Sequence, residues 1–241
     1  MLGSSIRRAR KFSRLIRSPI YRTGLRKGAA AAIEHEGAMR SLAVGSLVDV
    51  GANVGQFSLL VRALHPEAVI YAFEPLPAMA SRYEALFSPD PRIKLYRVAA
   101  GETAGQAAIH VSGRPDSSSL LPISQKQNEI FPGTLEVSTL EIEIQRVDDV
   151  LRDEKLAEPI LIKLDVQGFE LSALKGMPEL LKRAAHIYVE VSFVELYQGQ
   201  PLAYEIIDWL ATRGYRIAGI YNPTFTHDAI AVQADVLFSR M

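Results

Sequence analysis

The stretch from Val48 to Gln56, Val-Asp-Val-Gly-Ala-Asn-Val-Gly-Gln, constrains the fold more than any other part of the chain. A short apolar run at 47–50 enters a turn with two glycines and continues into a helical pattern over about 56–64. Strand, glycine turn and helix in that order open an α/β sheet of the kind that binds ligands outside the carboxyl ends of its strands. Gly51 and Gly55 reach backbone conformations closed to other residues and let a ligand come close to the chain. The helix that follows has unpaired N–H groups at its start, which favour a ligand carboxylate there.

The rest of the chain keeps the alternation. Residues 69–73 and 93–98 read as strands, with a helix over about 77–87 between them. Strands separated by helices of this length imply a parallel sheet with right-handed crossovers. The rhythm resumes with a strand at 160–166, a short helix at 169–175 stopped near Gly176 and Pro178, a turn at 180–183 and a strand at 187–191. A helix over 204–213 ends at Gly214, and 215–221 with 234–238 form a terminal strand pair. Residues 29–43 read as a helix ahead of the first strand, and there is no internal repeat.

One segment breaks the pattern. Residues 106–111 and 140–146 alternate apolar with polar, as strands with one wet face do. Between them, 112–139 is rich in Ser, Pro, Gly and Gln. So long a connection inside a compact domain is usually functional or disordered. It is read as an insertion, about 106–146, passing over the site.

With 241 residues, 48% of them hydrophobic, the chain can bury one sizeable core. It has no cysteine, which excludes disulfides, thiolate metal sites and a cysteine nucleophile. No apolar run approaches the roughly 18 residues of a membrane span, and the amino terminus lacks the apolar core of a secretory signal. A cytoplasmic protein is expected.

The net charge of zero hides an asymmetry. Residues 1–27 hold nine basic residues and no acid, leaving 18 basic against 27 acidic residues in the remainder. The chain thus divides into a basic arm, 1–28, and a domain, 29–241. Ile6, Ala9, Phe12 and Ile16 recur at helical spacing in the arm, and Pro19 would end that helix. Such a helix can pack on its own acidic domain, or lie on an anionic membrane surface or a protein partner. An Arg- and Ser-rich, acid-free start also fits an organelle presequence. The arm lacks interleaved aromatics, so no nucleic-acid partner is expected.

Three further positions carry chemistry. Glu74 closes the second strand 23 residues after Gly51, where an acid can accept both hydroxyl hydrogens of a ribose. The dinucleotide fingerprint GxGxxG is not present, because Asn53 replaces its second glycine, and no P-loop Gly-Lys-Ser/Thr follows. Asp165 ends an otherwise apolar strand, where a charge is costly unless paired or functional, and it should face the same crevice as Asp49 and Glu74. Lys163 reads as a structural partner, and Gly168 as a point of close packing. Glu190, near the end of its strand, reads equally as a substrate ligand, a general base or a hydrogen-bonded core acid.

The motifs DVGANVGQFS, AFEPLP and IKLDVQGFELSALKG, with a later strand bearing Glu190, together resemble the FkbM-type methyltransferases, which use S-adenosylmethionine. The resemblance covers roughly 47–221, and the order and spacing of the motifs make it specific. Where family members commonly read Asp-Val-Glu-Gly, this chain has Gln167, which removes an acid there and leaves Asp165 intact. Ser117-Ser118-Ser119-Leu120 is similar to a serine-containing segment of the family's insertion.

The resemblance implies a Rossmann-like sheet of seven mostly parallel strands with an antiparallel terminal hairpin. It implies that Asp49, Gly51, Asn53 and Gly55 hold the methionine side of S-adenosylmethionine, Glu74 the ribose, and Ala99 and Ala100 the border of the adenine. Asp165 would lie near the methionine end and the acceptor, with Ser118, Ser119 and Gln167 on the acceptor side. The family is associated with O-methylation of sugars and other hydroxylated metabolites, so a glycan or hydroxylated small molecule is the expected acceptor.

Methyl transfer from a sulfonium is an in-line displacement in which positioning carries much of the catalysis. A hydroxyl acceptor must also lose its proton, and a positioned base contributes roughly 10²–10⁴-fold. Asp165 is the first candidate and Glu190 the second, with His110 and His227 open because histidine titrates near neutrality. No clustered ligand motif such as HExxH appears, so no metal is expected. Two other readings stand beside this one: a non-catalytic, methyltransferase-like binding module, and a dinucleotide-dependent oxidoreductase on a similar sheet.

Overall fold

The computed structural model describes residues 18–241. Seven strands form the main sheet in the order β3-β2-β1-β7-β8-β10-β9. These are β1 (Ser46–Val50), β2 (Val69–Phe73), β3 (Ile93–Tyr96), β7 (Ile160–Leu164), β8 (His186–Ser192), β9 (Tyr215–Phe225) and β10 (Ala231–Arg240). Only β10 runs against the rest: it pairs antiparallel with β8 on one side and with β9 on the other. The Rossmann-like sheet with an antiparallel end is therefore present as expected, though the hairpin strands extend beyond 215–221 and 234–238.

The sheet is the middle of three layers. In β1, Val48 and Val50 face a core shared with Ile162, Leu164, Val189 and the helices Glu170–Lys175, Pro178–Arg183 and Ala203–Ala211. Leu47 faces the opposite core, where Phe57, Leu60 and Val61 of helix Gln56–Leu64 pack. All five residues of β1 and of β7 are buried, so neither strand reads as an alternating pattern. The chain order reverses between these two strands: β1 leads outward to β2 and β3, β7 to β8. Ligand crevices open at such a point, above the strand ends at Gly51 and Asp165.

Two local expectations are corrected, and a helix not read from the sequence appears. Residues 29–43 do not form one helix; they give an extended stretch, a 3₁₀ turn at Ile33–His35 and the short helix Glu36–Met39. Gly28 takes a positive φ of 79°, and the Ala32 N–H is donated to Gln56 O rather than to a helical partner. Tertiary pairing overrides the helix propensity of alanine. Pro19 opens a helix, Pro19–Arg26, with Ser18 as its cap; proline suits a first helical turn, where its missing N–H has no partner to lose. The third strand stops at Tyr96, and Ala99–Ala100 becomes β4 of a second sheet, ordered β4-β6-β5.

That second sheet is the insertion. Strands β5 (Gly105–Ser112) and β6 (Glu136–Gln145) form an antiparallel pair, joined by residues that include the helix Gln125–Ile130. Helix Pro19–Arg26 lies on helix Gln56–Leu64, where a side chain at Gly24 would run into Leu59. Lys27 ties this segment down further by donating to Ala85 O and Leu86 O, each at 2.9 Å. The helix expected around Ile6, Ala9, Phe12 and Ile16 lies outside the described residues. Among the described residues no helix is long and apolar enough to cross a membrane.

Candidate active site

A cavity of about 660 Å³ opens over the β1–β7 strand ends, within the usual size range of a cofactor site. Gly51, Ala52, Asn53 and Val54 form its floor. Gly51 has φ +78°, and any side chain there would collide with the backbone carbonyl of Asp165. Asn53 is also left-handed, at φ 49°, and its Oδ1 accepts the Val54 N–H at 2.7 Å, a local bond that supports this conformation. Gly55, at φ +91°, stands behind the floor: a Cβ there would press on Phe87, Leu86 and Tyr83, and its carbonyl accepts the Leu59 N–H.

Glu74 is buried in the cavity wall. Its Oε2 accepts the Asn53 N–H at 2.8 Å and its Oε1 the Leu76 N–H at 2.9 Å, so both oxygens are fixed and each retains accepting capacity. Burial pushes this carboxyl up to about 7, although the two N–H groups and Lys163 pull the other way. Ala99 and Ala100 line the cavity with Leu76, Met79 and Ile109, giving an apolar slot beside the acid.

Asp49 contributes from behind. It is fully buried within β1 and is absent from the cavity wall. Its Oδ2 accepts from Ser58 Oγ at 2.6 Å, and Ser58 in turn accepts from the Tyr83 hydroxyl at 2.8 Å. Lys163 stands opposite in β7, with Nζ 3.4 Å from Asp49 Oδ1. The same ammonium donates to Gly51 O at 2.9 Å and lies 3.8 Å from Asp165 Oδ2. Burial alone would lower the lysine pKa; the two aspartates more than offset it, and the net shift is upward. Lys163 thus has the structural role expected of it, and the pair stiffens the glycine turn.

Asp165 sits at the cavity edge with its side chain 40% exposed, and Gln167 Nε2 donates to its Oδ1 at 2.6 Å. The same amide donates to Glu190 Oε2 at 3.0 Å, and Gln167 Oε1 accepts from the Tyr197 hydroxyl at 2.6 Å. Gln167, at φ 55°, therefore bridges two carboxylates that an acid in its place would repel. Gly168 follows at φ +95°, packed against Gln200 and Tyr197. Ser119 Oγ donates to Gln167 O at 2.6 Å, fastening the insertion to this turn, while Ser118 Oγ accepts the Ser112 N–H. Both serines, with Gly113 and Arg114, wall the large cavity.

A smaller cavity of about 260 Å³ adjoins the first and shares Glu34, His35 and Asp165 with it. Glu190, Asn222, Thr224, Gln233 and Asp235 complete its polar wall. Glu190 and Asp235 face each other across the β8–β10 pair, on one side of the sheet. Burial first, then Asp165 and Asp235, drive the Glu190 carboxyl well above the carboxylate range. His110 and His227 are elsewhere: His110 pairs with Glu136 on the insertion hairpin at 2.8 Å, and His227 is fully exposed in the β9–β10 turn. His35 was not anticipated, because it falls in the segment expected to be helical and belongs to no motif.

An acid-bearing nucleotide pocket at the switch point of this sheet, with a second polar cavity beside it, is the arrangement of a methyltransferase dependent on S-adenosylmethionine. Residues 49–217 match the family described as the methyltransferase FkbM domain, and the chain belongs to that family. It is similar to the 2-O-methyltransferase NoeI of Sinorhizobium fredii, 31% identical over 175 residues, which cover 68% of this chain and 70% of that protein. It is also similar to the hexuronic acid methyltransferase AglP of Haloferax volcanii, 27% identical over 60% of this chain and 55% of that one. Among solved structures, fibrillarin of Aeropyrum pernix with bound S-adenosylmethionine aligns with a TM-score of 0.49 and 10% identity, over 88% of this chain and 75% of that one.

The residues present suit the cofactor. A buried carboxyl with two fixed oxygens answers a ribose diol, an apolar slot answers an adenine, and a glycine floor at a helix start answers an amino-acid carboxylate.

Proposed function

We propose that this protein transfers a methyl group to a hydroxyl oxygen of a glycan or a hydroxylated small molecule. The observation that carries the reading is the smaller cavity, joined to the large one at Asp165 and walled by Glu34, His35, Glu190, Asn222 and Asp235. Its wall is rich in hydrogen-bonding groups, which suits an acceptor with several hydroxyls. The named functions of NoeI and AglP, a 2-O-methyltransferase and a hexuronic acid methyltransferase, support a sugar.

The cofactor, when bound, supplies an electrophilic methyl group. The chain's own work is to hold it and to bring the acceptor oxygen in line. In this reading Gly51 and Asn53 carry the methionine end, backed by Asp49 and Gly55; Glu74 takes the ribose, and Ala99 and Ala100 flank the adenine. Asp165 and Glu190 contact the acceptor and are its catalytic carboxyl groups. Gln167 sets their spacing, and Ser118 and Ser119 close the wall.

The test pairs two measurements on the full chain. Calorimetry with S-adenosylhomocysteine should give micromolar-range binding. Incubation with S-adenosylmethionine and a panel of methyl glycosides, read by mass spectrometry, should yield +14 Da products retained through mild base, as ethers are and esters are not. Binding without any ether product across neutral, amino and uronic sugars and simple polyols would overturn the hydroxyl assignment.

A further inference from the structure

We propose that His35 is the group that removes the proton from the acceptor hydroxyl, with Asp235 as its positioning residue. The inference rests on the smaller cavity being the seat of the acceptor. His35 lines both cavities and so stands at their junction, beside the place where a methyl group and its acceptor would meet.

The ring is held on every side but one. It meets Phe57 and Tyr188 edge-on, with centroids 5.6 Å away in each case and interplanar angles of 67° and 89°. Nδ1 lies 3.2 Å from Asp235 Oδ2, 3.0 Å from the Tyr188 hydroxyl and 3.2 Å from Asn222 Nδ2. Asn222 Nδ2 also donates to Asp235 Oδ2 at 2.8 Å, which fixes the carboxylate. In the proposed tautomer the proton sits on Nδ1, where Asp235 Oδ2 can accept it, and Nε2 holds the lone pair; a ring whose Nδ1 accepted from Asn222 Nδ2 would instead carry its proton on Nε2. All hydrogen bonds of the ring to described residues are made by Nδ1, and a fifth of the side chain remains exposed.

The neighbouring carboxyl groups are already engaged by donors of their own surroundings. Asp165 accepts from Gln167 and lies within 3.8 Å of the Lys163 ammonium, so its oxygens are engaged. Glu190 accepts from two amides, Gln167 and Gln233. These two carboxyl groups orient the acceptor while the imidazole takes the proton. As the acceptor oxygen forms its bond to the methyl carbon, the carbon–sulfur bond breaks and its electron pair stays on sulfur. The hydroxyl proton passes to His35 Nε2, and Asp235 stabilises the resulting imidazolium.

The decisive measurement needs no acceptor. Nitrogen-15 NMR of the wild-type chain saturated with S-adenosylhomocysteine should show the His35 ring, assigned by its contacts to Phe57 and Tyr188, as the Nδ1–H tautomer with Nε2 unprotonated. Asp235→Asn should shift that tautomer balance, which a purely structural contact would not do. On the methyl glycoside that reacts best, His35→Gln should lower kcat roughly 10²–10⁴-fold. Its affinity for S-adenosylhomocysteine should stay within about twofold of wild type by calorimetry. A ring protonated on Nε2, or a His35→Gln variant that keeps more than a tenth of kcat, would overturn the role of His35. Failure of the wild type itself to bind S-adenosylhomocysteine would instead strike the proposed function.

Discussion

Cofactor affinity should climb with pH through the neutral range, and Glu74 should set the slope. Its carboxyl is buried and pushed up to about 7, so the ligand-free protein carries a proton there through the mildly acidic range. A ribose diol donates two hydrogens and needs the ionised group, whose oxygens only accept. Binding therefore selects the form that has lost its proton. At pH 6 about one molecule in ten is in that form, and at pH 8 about nine in ten. Apparent affinity for S-adenosylhomocysteine should thus rise about tenfold between these values, or about 1.4 kcal/mol. Calorimetry in two buffers of different ionisation enthalpy should also detect about half a proton released per binding event at pH 7. Glu74→Ala removes a charged hydrogen-bond partner and should weaken binding by about 1.5–3 kcal/mol while flattening the slope. Equal wild-type affinities at pH 6 and pH 8, or an unchanged slope in Glu74→Ala, would refute the assignment.

Three other outcomes follow from the buried charges and the glycine floor. Glu170 is buried and pushed up to about 7, so its contribution to stability is complete below the unfolded carboxyl value and is lost as pH rises through about 7. The loss should reach roughly 3 kcal/mol. Because its Oε1 alone accepts the Val166 and Gly168 N–H groups, Glu170→Gln keeps both bonds and should show a smaller fall in thermal midpoint between pH 5 and pH 8. Lys163→Met leaves Asp49 buried without its cation and should cost about 3–5 kcal/mol in denaturant unfolding, with much of that recovered in the double variant Asp49→Asn/Lys163→Met. Gly51→Ala must displace the Asp165 carbonyl and bears a left-handed backbone, so calorimetry should find the thermal midpoint lowered by roughly 10 °C.

The parts of the site that could be read in the sequence are those whose signal is local. The glycine turn, Glu74 at a strand end and Asp165 at another are each fixed by a few neighbouring residues, and all three meet at one crevice. Asp49 shows the limit of such reading. Its place in the motif suggests contact with a ligand, but strand alternation turns it to the face of helix Gln56–Leu64, where Ser58 and Lys163 hold it. His35 marks a second limit. Its partners Tyr188 and Asp235 come from β8 and β10, and Tyr188 is 153 residues away in sequence. No spacing rule connects them. The alanines at 30 and 32 had a helical signature, but they supply thin walls to a cavity instead.

The contact between Gly51 and the backbone of Asp165 has a consequence for how such an enzyme diversifies. Two strand ends touch through main-chain atoms, with Lys163 clasping one of them from below. In the proposed reading, the gap between the floor beneath the donor and the carboxylate beside the acceptor is thus a ruler made of backbone. Substitutions in the surrounding loops redraw the outline of the acceptor without moving that ruler. On that same reading, re-tailoring residues 113–120 or the β9–β10 hairpin would recast the acceptor while the spacing of these strand ends is inherited unchanged.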